Sequence, residues 1–198
     1  MKEQKPKHGT DAISTVILKT TEALADRYGI DKVSMHQIAQ TAGVGQGTIY
    51  RRYANKGALC MELMDEKFRL LQEHAAQIVG QPGTVHEKLK AVLSEQIHFL
   101  ESHVSYIEAI HDAATCEGKK QTFYESRPYR FLHQVLRDLL NEAITAKTAK
   151  PMNTDFTAHT WIASINPKVY LYLRKKKRYS EKEIVSFFTQ SFIDPLFL

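Results

Sequence analysis

The chain has 198 residues, 43% hydrophobic and 25% charged, a balance that excludes disordered and collagen-like classes and fits one compact domain or a small domain joined to a larger one. Two cysteines, Cys60 and Cys116, exclude a disulfide scaffold. No apolar run approaches the ~20 residues of a bilayer span, and the charged N-terminus lacks the apolar core of a secretory signal, so a reduced, cytoplasmic setting is expected. The net charge of +5 is unevenly placed: residues 1–60 carry nine Lys/Arg against five Asp/Glu, and residues 61–198 eighteen against seventeen. An excess confined to the first third points to a polyanionic partner for that segment.

Helical periodicity dominates, and alternating β-branched runs and Asn-Gly or Asp-Gly hairpin pairs are absent. A first helix is predicted over 11–28, with Ile13, Val16, Ile17, Thr20 and Leu24 on one face and Gly29 as its stop. Ser34 followed by Gln37 reads as a capping box opening a short helix. A second short helix follows Ala42-Gly43-Val44, over 46–52. Asn55 caps a long helix that ends near 80–83. Beyond Pro82 five stretches are predicted, over 85–102, 104–116, 121–146, 153–175 and 181–193. Pro128 and Pro167 fall inside two of them, where each should kink or break its helix. The fold class is therefore all-α, with a small basic bundle before a larger helical domain.

Residues 34–59 read SMHQIAQTAGVGQGTIYRRYANKGAL. Two short helices flank a turn at Gly43, a residue suited to positive φ, with Ile38, Ala39, Ala42, Val44 and Ile49 at the inward positions. This is the layout of a helix-turn-helix, whose second helix enters the major groove of DNA. On that helix Gln46 and Thr48 can bond base edges or phosphate, and Gly47 lets the backbone approach the duplex. Tyr50, Arg51, Arg52, Tyr53 and Lys56 form a basic, aromatic cluster suited to phosphates and thymine methyls. The N-terminus of the helix after Asn55 offers one more phosphate site.

On these residues the chain resembles the TetR family of bacterial transcriptional regulators. The resemblance rests on IAQTAGVGQGTIYRRYANKGAL at 38–59, on RYGIDKVS at 27–34 and on total length. It implies a homodimer with a three-helix DNA-binding domain over 1–56 and a larger domain over 57–198 that binds a small effector and dimerises. The family's DNA-contacting positions fall on Ser34, His36, Gln46, Gly47, Thr48, Tyr50, Arg52, Tyr53 and Lys56. Arg52 departs from the histidine common at its position. The implied activity is that of a repressor released from a palindromic operator by its effector. An activator of the same family, or a small helical metal-binding module or enzyme, stands as the alternative.

The resemblance also implies dimerisation through the last two helices, which places Ile162, Ile165 and Val169 on one, with Trp161 and Leu173 beside them, and Ile184, Val185, Phe188 and Phe192 on the other. An apolar stripe serves an intramolecular core equally well. An effector cavity among the middle helices would draw on Phe68, Phe99, His103, Tyr106, Tyr124, Phe131 and Trp161, with Phe123 as a further wall and His98, His111 and His133 as polar anchors. Aromatics at helical spacing more often form core. His98, His103, His111 and Cys116 lack the i, i+4 spacing of a helical metal site, so no metal is expected. No Gly-rich phosphate loop, HExxH, Gly-x-Ser-x-Gly or carboxylate pair is found, so neither a cofactor nor catalysis is expected. The RKKKR run at 174–178 reads as a solvated helix end.

Overall fold

A computed structural model describes residues 12–116 and 124–198. The first helix, α1 (Ala12–Tyr28), ends where Gly29 takes φ +83°, and its N–H closes on the Ala25 carbonyl at 2.8 Å. α2 (Met35–Thr41) starts at Ser34, whose hydroxyl accepts from the Gln37 N–H at 3.1 Å. Gly43, at φ +66°, turns the chain into α3 (Gln46–Arg52). These helices close over one core of Ile17, Leu24, Val33, Met35, Ile38, Ala39, Ile49, Tyr53 and Leu59. The last of these comes from the first turns of α4 (Lys56–Gly80), which Asn55 caps by accepting from the Ala58 N–H at 2.8 Å.

The buried face of α1 differs from the expected one. Ser14, Ile17, Thr21, Leu24 and Ala25 face inward, while Ile13 and Val16 are 40% and 45% exposed. The inward set keeps the i, i+3, i+4 spacing of one helix face, which hydrophobicity alone misplaced. Thr21 is tolerated inside because its hydroxyl donates to the Ile17 carbonyl at 2.8 Å.

α5 (Val85–Cys116) is one 32-residue helix where two were predicted. Nothing between 102 and 104 removes a backbone donor, so propagation is uninterrupted over about 48 Å. It runs back along α4, bringing the start of α4 beside its end. α6 (Arg127–Thr145) is capped by Ser126, and Pro128 sits in its first turn. Proline there forfeits only an N–H that has no intrahelical acceptor, so no kink follows. Pro167 does break its helix as expected. α7 (Thr154–Ser164) stops at Ile165, and Asn166 caps α8 (Pro167–Leu171), which runs on as a π-helical turn over Tyr172–Lys176. α9 (Glu181–Phe188) opens with a complete Ser180/Glu183 capping box and continues through a π turn, Thr189–Ile193. The final residues pair with the segment after α6, through Lys150 N–H to the Leu196 carbonyl at 2.8 Å and Leu198 N–H to the Thr148 carbonyl at 3.0 Å.

A large core joins α5 to α9, including Leu89, Leu93, Ile97, Leu136, Leu139, Leu140, Trp161 and Tyr170. A third, small cluster bridges the two bodies. Ala25, Ile30 and Cys60 from the N-terminal side meet Tyr106, Ala109 and Ile110 of α5. Among the described residues, no helix is long and apolar enough to cross a membrane.

Candidate nucleic-acid interface and ligand cavity

α3 is held by a single buried anchor, Ile49, at 0% exposure. At 100° per residue the face opposite Ile49 carries Gly47 and Arg51, with Tyr50 at one edge and Gln46 further round on the same side, in the first turn. All four are exposed, with Tyr50 at 50%. Thr48 and Arg52 are half-buried at the sides. His36 and Ser34 are exposed at the start of α2. The chain's own fold gives Gly47 no reason to be glycine. A Cβ there would meet nothing within 4 Å, and its φ is not positive.

Two of the predicted contacts are placed elsewhere. Tyr53 is 3% exposed and belongs to the core of the first unit, where burial raises its hydroxyl pKa. Its position four residues after Ile49 puts it on the same inward face, a spacing legible in the sequence. Lys56 points inward as well. Its ammonium donates to the carbonyls of Ile30, Asp31 and Val33 at 3.0, 3.2 and 3.1 Å. Three protons meet three acceptors, so this side chain ties the loop before α2 to the start of α4 instead of holding a phosphate. No sequence pattern marks those carbonyls as convergent.

Just beyond, Gly57 lies against α5. A Cβ on it would stand 2.3 Å from the Ala113 Cβ and 3.0 Å from the Ala109 carbonyl oxygen. Close approach of the two helices requires glycine here. The neighbouring Cys60 is fully buried, and burial pushes its thiol up to about 11, so it is an inert core group.

Between α4, α5, α6 and α7 lies a cavity of about 890 Å³. Of the predicted walls, Phe68, Phe99, Tyr124 and Phe131 line it. Three do not. Tyr106 packs in the small bridging cluster. The His103 ring turns back on its own helix, 3.1 Å from the Phe99 carbonyl, and burial lowers its pKa. Trp161 is 2% exposed in the core, behind the wall, where its N–H donates to Oε1 of the lining residue Gln96 at 3.0 Å. Phe123 lies outside the described residues, as do the side chains of His111 and Cys116. Polar groups on the wall, missed from the sequence, include Gln72, Glu95, Gln96, Glu108, Asp112 and His159, with Lys168 as its cation. His98 is exposed, 3.5 Å from Glu181, and away from the wall.

The predicted dimer residues divide in two. Ile162, Ile165, Ile184 and Phe188 are at most 8% exposed and belong to the large core, with Ile162 and Ile165 also against the cavity. The break at Asn166 rotates α8 relative to α7, so residues on either side of it do not share a stripe. Val169 and Phe192 are exposed, at 39% and 41%, and with Phe187 at 46% they edge a second, apolar groove of about 370 Å³ between α8 and α9. Val185 is half-buried against the core.

Arg174, expected as part of a solvated run, is instead a tie. Its Nε and Nη2 grip Glu101 at 2.8 and 2.5 Å, Nη1 donates to the Tyr179 carbonyl at 2.6 Å, and the Tyr170 hydroxyl donates to the same carboxylate. The guanidinium and the hydroxyl pull the Glu101 carboxyl down to about 2 against partial burial. Lys175, Lys176 and Lys177 are exposed as predicted.

Residues 17–63 match the model for bacterial regulatory proteins of the tetR family. The chain is 24% identical over 147 residues to an HTH-type transcriptional regulator of Staphylococcus aureus strain MRSA252, covering 74% of each chain. Its fold resembles that of Thermus thermophilus FadR, a transcriptional repressor solved with lauroyl-CoA, with a TM-score of 0.69 at 11% identity over 93% of this chain and 95% of that one. Bacillus subtilis FadR, solved with stearoyl-CoA, aligns with a TM-score of 0.62 at 16% identity, over 92% and 98%.

Proposed function

We propose that the chain is a TetR-family transcriptional regulator, a homodimeric repressor whose α3 reads an approximately palindromic operator and whose cavity takes a small apolar effector that releases it. The observation that carries this reading is the two-sided construction of α3. Ile49 seats it, and everything opposite Ile49 is polar, cationic or side-chain-free and faces outward. In this reading Gln46, Thr48 and Tyr50 meet base edges, Arg51 and Arg52 meet bases or phosphate, and Ser34 and His36 hold the flanking backbone. Tyr53 and Lys56 shape the unit from within. The DNA-binding unit is taken as 1–56 and the effector and dimer body as 57–198, the protein acting in the cytoplasm without catalysing a reaction.

Coupling follows from α4. The helix that supplies Leu59 to the first core and Cys60 to the bridging cluster also supplies Phe68 and Leu71 to the cavity wall. A ligand that changes the tilt of α4 therefore moves α3. A preference of ~3 kcal/mol for the non-DNA conformer would loosen DNA more than a hundredfold. The exposed wall is mostly aromatic and aliphatic with polar and charged groups set among it, and the volume lies in the range of small-molecule sites. Together with the acyl-CoA complexes of the two similar structures, this favours an apolar chain with a polar head, and lauroyl-CoA is the first probe. The partner subunit packs on the exposed edge of Val169, Phe187 and Phe192.

The test is binding to DNA from upstream of the protein's own coding region. Tyr50→Ala and Arg51→Ala should each weaken binding about tenfold or more while thermal stability and the dimer persist. The logarithm of affinity should fall with that of salt by about 0.9 per phosphate contact, and by correspondingly less in Arg51→Ala. Unchanged affinity in both variants would remove α3 from the interface.

A further inference from the structure

At the edge of the cavity, three side chains converge at the junction of α6 and α7. Asp155 and His159 lie one turn apart on α7, on one face, and His133 approaches from α6. One donor atom from each lies within 4.8 Å of the others. His133 Nε2 is 3.4 Å from Asp155 Oδ1, and His159 Nε2 is 3.7 Å from Asp155 Oδ2. The edge of a zinc tetrahedron with bonds of 2.0–2.1 Å is about 3.3 Å, so the donors, within 4.8 Å of one another and meeting the carboxylate through different oxygens, must draw together by side-chain rotation to close on one ion.

Two further features distinguish the cluster from a surface ion pair. His133 Nε2 is buried and makes no hydrogen bond among the described residues, although the Asp155 carboxylate is near it. A buried ring nitrogen without a partner calls for an explanation, and a bound ion is one that the adjacent carboxylate and imidazole supply. The other ring nitrogen of His159, Nδ1, is hydrogen-bonded to the Tyr129 hydroxyl. That bond orients the imidazole and leaves Nε2 free to ligate, as outer partners do in metal sites. The two imidazoles stand 4.1 Å apart between centroids, tilted by 34°, each presenting Nε2 toward the carboxylate.

We propose that His133, Asp155 and His159 form a site for a zinc-class divalent metal ion, with Tyr129 as the residue that positions His159. Two imidazoles and one carboxylate suit zinc or cobalt better than magnesium or calcium, which favour all-oxygen sites. Three protein donors leave a fourth position for water or for a donor atom on a molecule in the cavity, whose wall includes His159. Arg137 opposes the ion, since its Nη1 lies 3.7 Å from Asp155 Oδ1. The site rests on these side chains and stands apart from the DNA-binding reading.

The full-length chain, free of any histidine tag, is titrated with Zn2+ by calorimetry and with Co2+ by visible absorption. One ion per chain is expected, with the intense d–d bands of a tetrahedral cobalt centre and a rise in melting temperature on zinc addition. His159→Gln and Asp155→Asn should abolish the bands and the melting shift while keeping the helical circular dichroism. Tyr129→Phe should weaken binding by 10- to 100-fold, and Arg137→Gln should strengthen it. No binding by the wild type, weak octahedral cobalt spectra, or equal binding by the variants would overturn the site. So would loss of binding accompanied by unfolding in both ligand variants together with unaltered affinity in Tyr129→Phe and Arg137→Gln.

Discussion

Gly47 and Gly57 are ten residues apart and serve opposite masters. Gly57 sits at the joint of α4 and α5, where a Cβ would run into Ala113 and the Ala109 carbonyl. Gly47 sits on the outer side of α3, where a Cβ would meet nothing. The same division holds for the cations beside them. Lys56 is consumed by three carbonyls of the protein, while Arg51 is exposed on the face that carries Gly47. At the joint, residue identity answers to the fold. On α3 no intramolecular contact asks for glycine, and in the reading proposed above it is DNA that does, at a helix-propensity cost of up to ~1 kcal/mol.

The joint predicts the larger stability effects. Gly57→Ala should destabilise the protein by about 1–3 kcal/mol, since backbone and a methyl group must both yield. Ala113→Gly in the same chain should recover part of that loss, leaving the contact with the Ala109 carbonyl, and a double-mutant cycle by chemical denaturation measures the coupling. A neutral Gly57→Ala would show that the helices are not in close contact. Lys56→Met should cost about 1–3 kcal/mol through three stranded carbonyls, with any loss of DNA affinity following from the loosened loop. If its thermal stability matches the wild type while the salt dependence of DNA binding falls by one contact, Lys56 belongs with Arg51 on the outer face.

A third tie extends the comparison into the larger body. The Glu101 carboxyl is held at about 2, against an ordinary 4.5, chiefly by Arg174. A depressed folded-state pKa contributes stability that is present above the unfolded value and is lost as pH falls through the folded one. Stability should therefore decline between about pH 4.5 and 2 on this account, and Glu101→Gln should be less stable at pH 7 but lose less on acidification. Parallel acid-dependence curves for the two proteins would contradict the tie.

Much of this was legible in the sequence, and the limits have physical causes. Caps and turns are local, so Ser34, Gly43 and Asn55 were readable from a few neighbours. The outward side of α3 followed from periodicity around Ile49. Proline was readable as a breaker at 167, where it interrupts a helix, and misleading at 128, where it begins one. Long-range partners left no trace. The carbonyls around Lys56 lie 23 to 26 residues away in sequence, and Glu101 lies 73 from Arg174. For the same reason the aromatic residues of the cavity could not be sorted from those of the core, whereas the interruption of the dimer stripe at Asn166 was readable from Pro167. The His133–Asp155–His159 cluster offers only half a signal, the i, i+4 pair on α7, with its third member on another helix.

The central claim is that the outer side of α3 is shaped by DNA, and Gly47→Ala tests it most directly by moving two observables in opposite directions. Melting temperature and fluorescence anisotropy with the protein's own upstream DNA are measured on both proteins. The account predicts a variant that is as stable as the wild type or up to ~1 kcal/mol more stable, yet binds DNA at least tenfold more weakly because the added methyl holds the backbone off the duplex. A variant that gains stability and keeps its full affinity would show that nothing approaches α3 at Gly47.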